Sequence, residues 1–105
     1  MVLQINFKFS VPRKDYETAV SPLADQIAAV AGLRWKVWIM NEAESEAGGI
    51  YLFEDEASLK AYTESDIVAG IVKHPALSDF SVKTFEVMDE VTAITRGPVD
   101  EKIAS

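Results

Sequence analysis

Residues 33–53, LRWKVWIMNEAESEAGGIYLF, decide the fold of this chain. Two apolar runs flank an acidic stretch, which predicts two antiparallel strands joined by a loop that closes on Gly48-Gly49. In the first run, Trp35 and Trp38 fall on opposite sides because successive side chains of a strand alternate between its faces. An antiparallel strand that covers a single core usually keeps its second face polar. Both faces of this hairpin are therefore expected to be covered.

Composition narrows the class of protein. The chain has 105 residues, which predicts one domain over residues 1–105. A net charge of −7 argues against nucleic acid or an anionic membrane surface as a partner. There is no cysteine, so disulfides and thiolate sites are excluded. The first residues read as a strand, no run reaches the ~20 apolar residues of a membrane span, and a cytoplasmic location is expected.

Strands are predicted near both ends of the chain. Residues 2–10 alternate between apolar and polar side chains, and residues 80–88 do so with Phe80, Val82 and Thr84 on one side and Lys83 and Phe85 on the other. These two segments and the hairpin make four strands.

Two helical segments separate the strands. The first is predicted from Asp15, as N-cap, to Ala31, with Gly32 just past its end. Pro22 either kinks this helix or lies in the first turn of a second helix capped by Ser21. The second begins near residues 54–56 and ends at Pro75, and residues 65–66 are a candidate interruption.

The resulting order, β-α-β-β-α-β, predicts an α+β, ferredoxin-like fold with a four-stranded antiparallel sheet and two helices on one face. Aromatic residues on the other face need a cover, so two sheets are expected to pack face to face as a homodimer, a dimeric α+β barrel. The tail, residues 90–105, is expected to extend toward the partner. Within it, residues 92–94 are a candidate for pairing with the neighbouring chain, and the last few residues are expected to fray.

Three strings carry a family resemblance: GLRWKVW, EAGGIYLFEDEASLKAY and VKTFEV. Together with the initial LQINFKF, they resemble the YdhR-type monooxygenases of the dimeric α+β barrel superfamily, which also contains the antibiotic-biosynthesis monooxygenases. The resemblance spans residues 3–95. It implies the same dimeric fold and a cofactor-independent oxygenation of a small electron-rich aromatic, such as a quinol or an anthrone, without a metal.

Such chemistry needs an apolar pocket, a polar group that deprotonates or orients a phenolic substrate, and stabilisation of the anion. The polar candidates for catalysis are Asn6, Tyr51, Tyr62 and His74, and the candidates for aromatic walls that bind the substrate are Phe7, Trp35, Trp38, Phe53 and Phe85.

Structural roles compete with each of these assignments. His74 is the single histidine and so the natural base near neutral pH, but it also suits a helix C-terminus. Asn6 lies on the face of its strand opposite Phe7, and its role is structural if the Asn6 face contacts solvent or the dimer interface. Trp38 is typical of packing, and a tyrosine with a solvated hydroxyl is common.

Two other functions stay open. The first is a non-catalytic dimeric module that binds small molecules. The second is haem binding, since haem-degrading relatives in this fold use an asparagine on the first strand, a tryptophan on the second helix and a histidine near its end. Asn6 fits the first position, Tyr62 replaces the tryptophan, and His74 lies about two residues past the expected ligand position. No other metal-ligand spacing is present.

Overall fold

A computed structural model describes residues 1–99 and shows four strands and four helices. The order is β1 (Val2–Phe9), α1 (Arg13–Ala28), β2 (Leu33–Asn41), β3 (Glu46–Phe53), α2 (Glu56–Thr63), α3 (Asp66–Val72), β4 (Leu77–Phe85) and α4 (Asp89–Ile94). The strands form one antiparallel sheet in the order β2-β3-β1-β4. The predicted ferredoxin-like α+β fold is confirmed.

The core lies between the sheet and the first three helices. Alternate residues of β1 are buried, from Leu3 to Phe9. Tyr16 of α1 stacks on Phe9 with 5.2 Å between ring centroids. Tyr62 of α2 packs against β3, and apolar side chains of α3 close the same core. We call this side of the sheet the helix face and the opposite side the open face.

The helices depart from the predicted bounds in places. α1 begins at Arg13, so Asp15 lies in its first turn and does not cap it. The helix is one segment with Pro22 inside it, and the alternative of a second helix capped by Ser21 is wrong. The interruption at residues 65–66 is confirmed, because α2 ends at Thr63 and the Ser65 side chain caps α3.

The prediction that the hairpin loop closes on Gly48-Gly49 is wrong. A short 3-10 turn at Glu42–Glu44 connects the strands, and the left-handed residue is Ser45, at a φ of 52°. Both glycines lie inside β3, where Gly48 pairs with Asn6 and with Ile39 of the flanking strands. A Cβ on Gly48 would lie 1.9 Å from the backbone oxygen of Ile5. Glycine is therefore required for close strand approach.

The segment after β4 forms α4, a helix of six residues. Residues 92–94, a candidate for strand pairing with a neighbouring chain, are helical instead, so this prediction is wrong for the conformation seen here. The Trp35 indole nitrogen on the open face donates a 2.9 Å hydrogen bond to the Pro98 carbonyl. The predicted fraying of the last residues concerns positions outside the described part. Within residues 1–99, no helix has the length and apolarity needed to cross a membrane.

Candidate functional site

A cavity of about 460 Å³ opens between the helix face of the sheet and helices α1 and α3. Its volume falls in the range of about 300–1,000 Å³ that is typical of small-molecule sites. Apolar side chains of both helices and all four strands line it, and the aromatic ones are Phe7, Tyr16, Trp38, Tyr51 and Phe80. The cavity can therefore hold a flat apolar ligand of about one to three rings.

Lys36 is the polar side chain of β2 in this wall, and it was not among the residues predicted from the sequence. Its Nζ lies 3.3 Å from the ring centroid of Trp38 and 4.6 Å from that of Tyr51, over both rings. Strand alternation puts Lys36 and Trp38 on the same face, and the β2–β3 register places Lys36 opposite Tyr51. Burial lowers the pKa of Lys36 to about 7. The only sequence signal for Lys36 is its position between Trp35 and Trp38.

Tyr51 and Tyr62 form a buried pair in which Tyr51 borders the cavity and Tyr62 lies behind it. Their hydroxyl oxygens are 3.0 Å apart and share one hydrogen bond. Both side chains are almost fully buried, at 2 % and 1 % exposure. Burial raises the pKa of Tyr51 and of Tyr62 above the ordinary value. Both hydroxyls therefore stay protonated at neutral pH, and one donates the shared hydrogen bond to the other, so neither acts as a base.

His74 lies at the exposed rim of the cavity, two residues beyond the end of α3. Its Nδ1 accepts a 3.1 Å hydrogen bond from the backbone nitrogen of Ala76, which orients the ring. The other ring nitrogen, Nε2, has no hydrogen-bond partner within residues 1–99. That nitrogen can form a hydrogen bond with a ligand at the cavity mouth.

The structure divides the predicted site residues into three groups. Phe7, Trp38, Tyr51 and His74 border the cavity, and Tyr62 and Phe53 are buried behind its wall. Asn6, Trp35 and Phe85 lie on the open face, so the expectation that they share a pocket with Tyr51 and His74 is wrong for this protomer. The physical reason is strand alternation, which turns these three side chains away from the helices.

Asn6 has partners of its own on the open face. Its side chain accepts a hydrogen bond from Gln4 and donates one to Glu46, both at 3.1 Å. Asn6 and His74 therefore lie on opposite sides of the sheet, and the trio that haem-degrading relatives would require does not assemble within residues 1–99. The residues present do not fit a haem site of that kind.

Comparison with solved structures shows the same fold in proteins of low sequence identity. A "putative antibiotic biosynthesis monooxygenase" from Deinococcus radiodurans superposes with a TM-score of 0.68 at 9% identity, over 85% of this chain and 94% of that chain. SnoaB, a cofactor-independent oxygenase from Streptomyces nogalater, gives 0.67 at 13% identity, over 86% and 94%. MhuD, a haem degrader from Mycobacterium tuberculosis solved with two haems in its active site, gives 0.65 at 17% identity, over 84% and 96%.

Sequence comparison identifies the family. No curated protein matches the chain significantly in sequence. A family model does match, and it spans residues 2–98, which include every strand and helix within residues 1–99 and all the residues that line the cavity. Because the match covers nearly the full length, the chain belongs to the family described as "Putative mono-oxygenase ydhR".

Proposed function

We propose that the protein is a homodimeric, cofactor-independent monooxygenase that oxidises a small electron-rich aromatic, such as a quinol or an anthrone, with O2. The observation that carries this proposal is the apolar cavity of about 460 Å³ with rings on several walls. Family membership and the shared fold with an oxygenase support the reaction class. Fold alone does not determine chemistry, so the cavity carries the argument.

The cavity suits a reaction in which the substrate supplies the electrons. Loss of a proton gives an aromatic anion, and the anion reduces O2. The oxygen then bonds to carbon, and the hydroperoxide loses water to leave a carbonyl. For an anthrone, a CH2 group and O2 thus become a C=O group and H2O, with atoms and electrons balanced. An apolar wall helps because it excludes water from the reactive anion.

The residues around the cavity have different parts in this proposal. Phe7, Trp38 and Tyr51 bind and orient the flat rings of the substrate. The Tyr51–Tyr62 hydroxyl pair fixes the position of the Tyr51 ring. His74, at the rim, forms a hydrogen bond with a polar group of the substrate at the mouth.

Oxygen consumption with a panel of quinols and anthrones tests the proposal. The matched variants are Ala19→Trp and Ala24→Trp, both at exposed positions of α1. Ala19 borders the cavity and Ala24 does not. We expect the first variant to lose at least about tenfold in kcat/KM, a loss of about 1.4 kcal/mol in transition-state binding. The second should keep wild-type activity.

Two results would argue against a monooxygenase. Equal turnover in the Ala19→Trp and Ala24→Trp variants would show that the reaction does not take place in the cavity. Thermal stabilisation by the aromatic panel without oxygen consumption or product would identify a binding module instead.

The dimer is part of the proposal, and the partner is a second copy of this chain. Val37 and Phe85 on the open face are 51% and 46% exposed, and Val91 and Ile94 of α4 are 52% and 74% exposed. Glu46 and Lys83 on the same face carry opposite charges, which a two-fold arrangement can place against each other.

Sedimentation at micromolar concentration tests this assembly. Phe85→Glu is compared with Val82→Glu, because both residues lie on β4 and are similarly exposed but point to opposite faces. We expect a monomer for the first variant and a dimer for the second. A monomeric wild-type protein would refute the assembly.

A further inference from the structure

Lys36 is held inside the cavity wall in an unusual way for a lysine. Most lysines extend their ammonium group into water, whereas Lys36 is half-buried and folds back over two aromatic rings. Its Nζ is 3.3 Å from the centroid of the Trp38 ring and 4.6 Å from that of Tyr51. Aromatic faces attract a cation at these distances. The amine is therefore positioned where a ligand in the cavity would meet it.

Gly49 provides the space for this conformation. A Cβ at this position would lie 2.4 Å from Cε and 3.3 Å from Nζ of Lys36, so any side chain there would displace the lysine. Gly49 faces the cavity from β3, beside Tyr51. The glycine inside β3 is thus explained by the path of the Lys36 side chain.

The Lys36 amine forms no salt bridge in the part of the chain that the structure describes. Within residues 1–99 the salt bridges are Arg13–Glu17 and Arg13–Glu42, and neither involves Lys36. The titratable groups that face the cavity from the surrounding elements are Asp15 and Tyr16 of α1, Tyr51 of β3, Asp66 of α3 and His74 after α3. Both aspartates are exposed at the rim. Burial lowers the pKa of Lys36 to about 7, so much of the amine is neutral at neutral pH.

We propose that Lys36 accepts the proton of the substrate and then holds the resulting anion, so that the cavity selects flat phenols and enols whose conjugate base is delocalised. This inference rests on the proposed function for the fate of that anion, and it names the substrate class of the same cavity.

The step conserves charge within the cavity. The neutral amine takes the hydroxyl proton, so an O–H bond breaks, an N–H bond forms, and the electron pair stays on the substrate oxygen. Two neutral groups become an ammonium and a phenolate or enolate. No net charge enters the apolar cavity, where an isolated ion would be costly. The rings of Trp38 and Tyr51 stabilise the ammonium, and its hydrogen bond to the anion is charge-assisted.

Binding of para-nitrophenol tests the inference without any turnover, because the phenolate is yellow and the phenol is not. The uncharged analogue para-nitroanisole has the same ring but no proton to lose. We expect wild-type protein to bind nitrophenol at least about tenfold more tightly than nitroanisole and to lower the apparent pKa of the bound phenol by about one unit or more.

Three variants test whether the effect depends on Lys36. Lys36→Met should abolish the preference for nitrophenol and the pKa change, whereas Lys60→Met, on the exposed surface of α2, removes the same charge and should change neither. Gly49→Ala keeps the lysine but displaces it, and it should reduce the preference as well. Thermal melts and circular dichroism verify that each variant is folded.

The outcomes separate this inference from the proposed function. The inference is overturned if wild-type protein binds nitrophenol no more tightly than nitroanisole, or binds neither. An equal preference in folded Lys36→Met protein also overturns it. Phenolate binding that depends on Lys36, without oxygen consumption on any quinol or anthrone, upholds the inference and refutes the oxygenase.

Discussion

The Tyr51–Tyr62 hydroxyl pair allows a quantitative test of the packing behind the cavity. The two oxygens are 3.0 Å apart, and each side chain is at most 2 % exposed. Changing either tyrosine to phenylalanine keeps the ring and removes one hydroxyl. The remaining hydroxyl is then buried without its partner, which typically costs about 1–3 kcal/mol. Each single variant should therefore lose that amount from the free energy of unfolding.

The double variant should lose less than the sum of the two single losses. Phenylalanine at both positions leaves no unpaired hydroxyl, and replacing both partners of a buried hydrogen bond by apolar groups can be nearly neutral. We expect the double variant to be no less stable than the less stable of the two single variants, which corresponds to a coupling free energy of at least about 1 kcal/mol between the two sites.

Urea denaturation at pH 7, followed by tryptophan fluorescence and circular dichroism, gives the four free energies of the cycle. Tyr16→Phe is the matched control, because Tyr16 is also buried and borders the cavity but its hydroxyl has no hydrogen-bond partner within residues 1–99. It should change stability by less than about 0.5 kcal/mol. Additive losses at Tyr51 and Tyr62, with unchanged urea slopes, would refute the hydroxyl pair.

Other changes have equally specific consequences. The pKa of Lys36 falls from 10.5 to about 7 on folding, so between these pH values the folded state binds fewer protons than the unfolded state. The free energy of unfolding should therefore rise with pH above 7, by up to about 1.4 kcal/mol per pH unit. Urea midpoints at pH 6 and pH 9 should differ less for Lys36→Met than for wild type, and parallel pH dependences of the two proteins would contradict this. Gly48→Ala should cost about 3 kcal/mol or more, because its Cβ would collide with the backbone oxygen of Ile5, and a thermal shift under a few degrees would count against the strand register. Trp35→Phe loses the hydrogen bond to Pro98, so it should speed proteolysis after α4 and lower the free energy of unfolding by less than about 1 kcal/mol. Unchanged cleavage rates would show that this hydrogen bond does not hold the segment that follows α4.

Local patterns were sufficient for the fold and for part of the site. Alternation near both ends of the chain predicted β1 and β4, although β4 spans Leu77–Phe85 and not residues 80–88. Helical spacing between these strands and the two-stranded centre completed the ferredoxin-like order that the structure shows. Alternation also placed Phe7 on the buried side of β1 and grouped Trp38 with Lys36. These features depend on residues within a few positions of each other, so the sequence alone determines them.

The tertiary structure decided what depends on distant segments. Gly48-Gly49 resembles a turn in sequence, but the reasons for glycine there are the backbone of Ile5 and the side chain of Lys36, which belong to the two neighbouring strands. Asn6 was separated from His74 by the sheet itself. The significance of Lys36 depends on the register that sets it opposite Tyr51 and on the cavity that helices α1 and α3 enclose. Alternation within a strand determines the face on which a side chain lies. The residue that it meets across the sheet and the enclosure of the cavity depend on contacts between residues far apart in the chain.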